Sequence, residues 1–304
     1  MPELPTWFFC VGAQKAGTTW LYDYCAKHPE IHVPSVKEAH YFDVLHDAKH
    51  SGFANNRAEA LAKYKPLTKL MSSLRRSRQP GDDSSKETLQ ALVAMHEDTS
   101  AEHLAYQAFV NRGRTTEKVV ADITPDYSVL NRPAFEDMAS MPGAPKFLFI
   151  MRDPMERTWS NIKMHRAFLK ARKNIVLDEM DIVNRLVQGR QKHILQRSMY
   201  QQTLFNLKRS VPADQLLVLF YESLFSEASI RQFCDFLEVS FVAGDYETIV
   251  RRGKTQGIPD EAFDKLAPML RVVYQRISEN FADVVPSNWH TDRVLTQQRP
   301  QAAT

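Results

Sequence analysis

Several features are scarce or missing in this 304-residue chain. Cysteine is rare: Cys10, Cys25 and Cys234 are odd in number and far apart, with neither a CxxC pair nor Cys/His metal spacing. That argues against a disulfide framework or a zinc module, and predicts buried, reduced thiols in a cytoplasmic protein. No apolar run approaches the roughly 20 residues of a membrane helix, so no transmembrane segment is expected. The opening "MPELPTWFFCVGAQ" carries acid and proline where a secretory signal needs basic residues. Charge is nearly balanced at a formal +3, too weak by itself to argue for nucleic acid or a membrane as partner. His28, His32, His46 and His50 lack ligand spacing and are expected at the surface. There is no internal repeat.

What is present is an α/β rhythm. Four short runs, Trp7–Val11, Lys118–Ile123, Lys146–Met151 and Gln215–Tyr221, read as strands. "KFLFIM" and "QLLVLFY" are continuously apolar rather than alternating, which fits parallel strands covered on both faces. Helical stretches at Thr18–Lys27, Pro154–Lys170, Met199–Arg209 and Glu227–Leu237 lie between and after them. Strands separated by helices predict right-handed crossovers and a central parallel sheet flanked by helices, in one domain over 1–304. From His46 to Arg114 the rhythm breaks into about three helix-like stretches: "RAEALAKYKPLTKLM", "KETLQALVAMHED" and "AEHLAYQAFVNRG". This reads as a helical insertion that caps a cleft, with Asn174–Gln196 as a second helical wall. The closing "RPQAAT" is expected to be loose.

The most informative stretch is Gly12-Ala-Gln-Lys15-Ala16-Gly17-Thr18-Thr19, which follows a strand and opens a helix. Glycines let the backbone approach an anion, and free N–H groups at a helix start point at it. A nucleotide triphosphatase places lysine after the second glycine, with Ser or Thr beside it on magnesium. Here Thr18 stands in that place and the lysine is Lys15, which disfavours a Walker-type kinase. The segment Lys15-Ala16-Gly17-Thr18-Thr19-Trp20 resembles the 5′-phosphosulfate loop of the sulfotransferases that use 3′-phosphoadenosine 5′-phosphosulfate. The resemblance implies a P-loop-like fold. It also implies that Thr18, Thr19 and backbone N–H groups cradle the 5′-phosphate, with Lys15 at the bridging oxygen. Trp20 either stacks near the adenine or packs into the core. A sulfuryl group carries less charge than a γ-phosphoryl group, so one ammonium and several N–H donors replace the usual metal, and no metal is expected.

The second anchor is "KFLFIMRDPMERTWSNIKMH". Arg152 ends a strand, Asp153 suits an N-cap, Pro154 suits the first helical turn, and Ser160 lies on that helix. Carboxyl ends of strands are where open α/β sheets bind ligands. An Arg-Asp-Pro…Ser segment grips the donor's 3′-phosphate in the same family, which by resemblance assigns Arg152 and Ser160. A looser likeness, "VRRGKTQGIP", adds Arg252 and Lys254 to that end. In the carbohydrate-type branch a Lys-Glu-x-His-x-Phe-Asp segment lines the cleft and its Glu is the base. Here that implies Glu38, with Lys37 or His40 positioning donor or acceptor and His40 the runner-up base. "ADITPDYSVL" resembles a Glu-x-Thr-Pro-x-Tyr stretch, with Asp122 replacing Glu and Ile123 where several relatives have Lys; this weakens a polyanionic sugar as acceptor. Tyr200 and Tyr221 read as structural. Lys69, Arg75, Arg76 and Arg78 are a basic cluster within the insertion.

The implied reaction is sulfuryl transfer from that donor to a hydroxyl or amine of a small-molecule, lipid or carbohydrate acceptor. Two rivals remain at this point. A small-molecule kinase needs ATP and magnesium, for which Asp122 is the sole candidate ligand; a non-catalytic nucleotide-binding homologue binds donor without turnover.

Overall fold

The computed structural model describes residues 4–64, 85–247 and 257–296. The chain runs β1 (Thr6–Gly12), α1 (Thr18–Cys25), β2 (Ile31–His32), α2 (Tyr41–His46), α3 (Ser51–Ala62), α4 (Lys86–Glu97), α5 (Leu104–Val110), β3 (Val119–Ile123) and α6 (Arg132–Ala139). It continues with β4 (Lys146–Met151), α7 (Pro154–Lys173), α8 (Glu179–Val187), α9 (His193–Gln196), α10 (Tyr200–Ser210) and β5 (Leu216–Phe220). Then come α11 (Tyr221–Leu224), α12 (Glu227–Leu237), α13 (Asp260–Asn280) and α14 (Thr291–Thr296).

The five strands form one sheet in the order β2-β3-β1-β4-β5, every pair parallel. The four expected strands are all there. β1, β3 and β4 are buried on both faces, β3 along its whole length despite Asp122. β5, at the sheet edge, leaves Leu216 and Val218 partly exposed. Double-sided burial is why β4 reads as an unbroken apolar run. Phe8 and Phe9 of β1 illustrate the packing: Phe8 meets Phe233 of α12 edge-on, and Phe9 meets Phe42 of α2. The three thiols are free and buried in this core.

Topology fixes where a ligand can sit. From β1 the chain moves out to β2 and β3 on one side, then crosses to β4 and β5 on the other. The crossovers therefore diverge between β1 and β4, and a crevice opens at the carboxyl ends of these two strands.

Two expectations need correction. β2 offers only two residues, too few for an apolar run, and it escapes a reading of the sequence. With it go His28 and His32, which are buried rather than superficial. His32 lies in β2 itself, and His28 Nε2 is 2.9 Å from the Ser240 carbonyl while its Nδ1 accepts from the Glu30 amide. The described part of the insertion is helical, but its first helix starts at Ser51, a turn and a half before the predicted stretch. Lys69, Arg75, Arg76, Arg78, Arg252, Lys254 and "RPQAAT" lie outside the described residues.

Candidate active site

The turn after β1 is built for close approach. Gly12 has φ +146°, and a Cβ there would lie 2.8 Å from Ser128 Cβ. Gly17, at φ +86°, would drive a Cβ to 2.9 Å from Leu224 Cδ2. Between them Lys15 adopts a left-handed φ of 74°, an uncommon state for a side-chain-bearing residue and one that recurs at functional sites. Gly17 is the N-cap of α1 and no side chain caps this helix. The N–H groups of its first turn, which have no intrahelical acceptor, are thus left for a ligand.

A cleft of about 810 Å³ opens over this turn. Lys15, Gly17, Thr18, Thr19 and Trp20 line it from the loop and α1; Lys37 and Glu38 from the segment before α2; Arg152 and Ser160 from the end of β4 and from α7. Eight of them belong to the twelve predicted site residues, Lys37 being the addition. Of the remaining four, Ala16 is fully buried and outside the lining, His40 is buried behind Glu38, and Arg252 and Lys254 lie outside the described residues.

The two anchors touch. Arg152 Nη1 donates to the Lys15 carbonyl at 3.1 Å across 137 residues of sequence. Its guanidinium lies over the Tyr221 ring, 4.6 Å from the centroid, and reaches Glu156 at 3.4 Å. Tyr200 fixes the backbone of Arg152 by donating its hydroxyl to that carbonyl at 2.8 Å. Gln14 adds a second tie, accepting from Asn161 of α7 and donating to Asp126. Burial, with the charges of Arg152 and Lys37, holds the Lys15 ammonium below the usual lysine range.

Lys37 bridges loop and carboxylate: its Nζ donates to Thr19 Oγ1 at 3.1 Å and to Glu38 Oε1 at 2.8 Å. Burial alone would raise the Glu38 pKa, but the His40 hydrogen bond and the Lys37 charge outweigh it and pull the carboxyl down to about 2. For His40, burial favours the neutral ring, yet Asp43 and Glu38 raise it to about 9. The imidazolium then donates to both, at 2.6 Å to Asp43 and 3.5 Å to Glu38.

Sequence reasoning missed what holds this pair. Phe53 of α3 stacks on His40 with centroids 3.5 Å apart. Arg57, one turn on, forks onto the backbone, donating to the Glu38 carbonyl at 2.9 Å and the Ala39 carbonyl at 2.5 Å. Its other contact is His96 of α4, whose pKa burial and the Arg57 charge depress to about 3, leaving a neutral ring that accepts. Glu38 and His40 both have left-handed φ, 65° and 51°, so the clamp falls on a segment whose backbone is otherwise unfavourable. No described residue of the insertion, and none of 174–196, lines the cleft. The cleft is lined here by α7, through Glu156, Trp159, Lys163 and Met164, with Arg57 of α3 supporting Glu38 from behind. Lys163 and Met164 were legible, lying three and four positions after Ser160 on one helix.

Trp20 packs against the core, the second of its two expected roles. It lines the cleft, and it also packs on Tyr24 and Phe225 while donating Nε1 to the Asp245 carbonyl at 2.9 Å. Tyr221, expected to be structural, is a lining residue. Asp122 is buried and accepts from the hydroxyls of Thr124, Tyr106 and Tyr127. Among the described residues one other group has ligand-like spacing, His40 with Asp43 and Asp126, whose donor atoms lie within 4.8 Å of one another. Each is already engaged, Asp126 by both sides of the Arg197 fork.

Chemically, the arrangement joins four cations (Lys15, Lys37, Arg152 and Lys163), an uncapped helix start and the carboxylates of Glu38 and Glu156 on a single cleft. It can hold a polyanion at two ends and accept a proton between them. The model of the sulfotransferase family matches residues 5–243. No curated protein matches the chain in sequence. Among solved structures, a sulfotransferase from Alicyclobacillus acidocaldarius is similar over 93% of this chain and 98% of that one, at 20% identity and a TM-score of 0.60. The sulfotransferase domain of the Synechococcus PCC 7002 olefin synthase is similar over 93% and 96%, at 19% identity and a TM-score of 0.51. At these identities the likeness is one of fold.

Proposed function

The chain belongs to the sulfotransferase family, and from that premise we propose that it moves the sulfuryl group of 3′-phosphoadenosine 5′-phosphosulfate to a hydroxyl or amine of an acceptor. The observation that supports this reading most is the shared cleft of Lys15, Glu38, Arg152 and Ser160, with Lys15 and Arg152 in direct contact. The donor carries anions at both ends of one nucleoside, and the cleft offers cationic and N–H groups from two neighbouring strand ends.

In this reading Gly17, Thr18 and Thr19 hold the 5′-phosphate through backbone N–H and hydroxyl donors. Arg152 and Ser160 hold the 3′-phosphate, and Trp20 and Phe225 flank the base. Glu38 takes the proton from the acceptor as its oxygen or nitrogen bonds to sulfur. The S–O bond to the bridging oxygen breaks, its electron pair leaves with adenosine 3′,5′-bisphosphate, and Lys15 offsets the charge that develops there. Lys37 couples the two halves. While it is bound to Glu38 it depresses the basicity of that carboxylate; drawn onto the donor's anion through its place beside Thr19, it releases Glu38 to act as base. His40, protonated and buried, orients Glu38 rather than serving as base. The chemical step needs no metal in this scheme.

The test is titration calorimetry without added metal, using adenosine 3′,5′-bisphosphate and ATP. Tight binding of the bisphosphate with at least about tenfold weaker binding of ATP, a gap of about 1.4 kcal/mol, is the expected result. ATP bound more tightly than the bisphosphate would overturn the donor assignment and favour a kinase.

A further inference from the structure

The second half of α7 presents the wrong face to solvent. Met164, Ala167, Phe168 and Ala171 follow the i, i+3, i+4, i+7 spacing that usually packs a helix onto a core. All four are exposed, with Met164 38% and Phe168 48% accessible. The core side of this stretch is held instead by Leu169. Just past the helix, Ile175 and Val176 continue the apolar surface, Val176 being 77% accessible. Cations border it: Lys170 and Arg172 are exposed on its two sides, Lys173 is exposed at the helix end, Lys163 is half-buried, and no acidic residue occurs between Arg157 and Leu177. Lys163 and Met164 also line the cleft, so the face begins at its mouth.

We propose that this face of α7 docks on an anionic lipid bilayer, seating the open cleft beside the membrane surface. Exposed apolar side chains bordered by lysine and arginine are what an interfacial helix uses: the apolar stripe enters the headgroup boundary and the cations meet lipid phosphates. Charge complementarity selects this occupant. A second copy would bring the same cations against these, a like-charge juxtaposition that opposes association. A nucleic acid would satisfy the cations but leave Phe168 and Val176 in water. The proposal does not depend on the chemistry assigned to the cleft.

The experiment is co-sedimentation of the full chain with phosphatidylcholine vesicles, with and without about 30 mol% phosphatidylglycerol. Retention is expected only with the anionic lipid and should fall as salt rises. Each surface cation contributes about fivefold to such partitioning, so the triple reversal K170E/R172E/K173E should weaken it by about 100-fold or more. Phe168→Ser should weaken it as well. The same reversals at exposed Lys86, Arg190 and Lys192 serve as the control for net charge, and are expected to cost much less. All these positions are exposed, and circular dichroism melts confirm that the variants fold. Equal loss in test and control triples, retention unaffected by Phe168→Ser, or equal binding to pure phosphatidylcholine would overturn the proposal. So would dimerisation in light scattering that Phe168→Ser abolishes, or duplex DNA binding stronger than vesicle binding.

Discussion

At the scale of single residues, the cleft is governed by two ion-paired groups whose pKa values are pushed apart. Glu38, held to about 2, is ionised throughout the neutral range, so it puts no acidic limb on the rate near neutrality. Replacing it by Gln removes a proton acceptor but keeps the shape; kcat should fall by about 10²–10⁴-fold with the donor's KM little changed. A labelled-sulfate transfer assay reads both. An unchanged Glu38→Gln rate alongside an inactive His40→Ala would reverse their roles. His40 has its folded pKa raised from 6.5 to about 9. Its contribution to stability is therefore complete below about 6.5 and is lost as pH climbs through about 9. Urea midpoints should decline from pH 7 to pH 10 in the native chain, and less steeply in His40→Gln. Glu38 has the opposite sign: its contribution is present above 4.5 and fades as pH falls toward about 2.

At the scale of elements, α3 acts on the cleft without lining it. The Arg57 fork spans two successive carbonyls, a geometry that lysine does not reproduce. Arg57→Lys is expected to lower kcat by about 10- to 100-fold, in line with loss of one charge-assisted hydrogen bond of about 1.5–3 kcal/mol, while binding of the bisphosphate stays near native. A purely structural role would instead lower the melting temperature without splitting kcat from binding. Why the sequence revealed Lys15 and Arg152 but not Arg57 follows from where each sits. Lys15 and Arg152 are attached to the ends of strands, and a strand end followed by a helix start is visible in local pattern. Arg57 is one of several polar residues on a helix with no buried side chain; only tertiary contact tells it from its neighbours. β2 was missed for a related reason, since two residues carry no periodicity.

At the scale of the whole molecule, Asp153 is a junction. Its carboxylate caps α7 through the Glu156 amide and accepts from Tyr274 of α13 and from the His290 amide, while its own amide donates to Glu222 of α11. The sequence predicted the cap alone. The other bonds come from elements more than 60 residues downstream, which no local window contains. Because the carboxylate is buried, Asp153→Ala leaves three donors without an acceptor. The loss should be about 3–4 kcal/mol, from the cap and the orphaned groups together. Guanidinium unfolding would show this as a lower midpoint at unchanged slope. The sheet order carries a consequence for biosynthesis. The first strand is the middle one, flanked by partners that begin at Val119 and Lys146. A nascent segment from Thr6 onward must therefore wait, unpaired, while more than a hundred residues emerge. At a ribosomal speed of about 5–20 residues per second that is roughly 5–20 s, in which the aromatic run Trp7–Phe9 needs shelter from association with neighbouring chains.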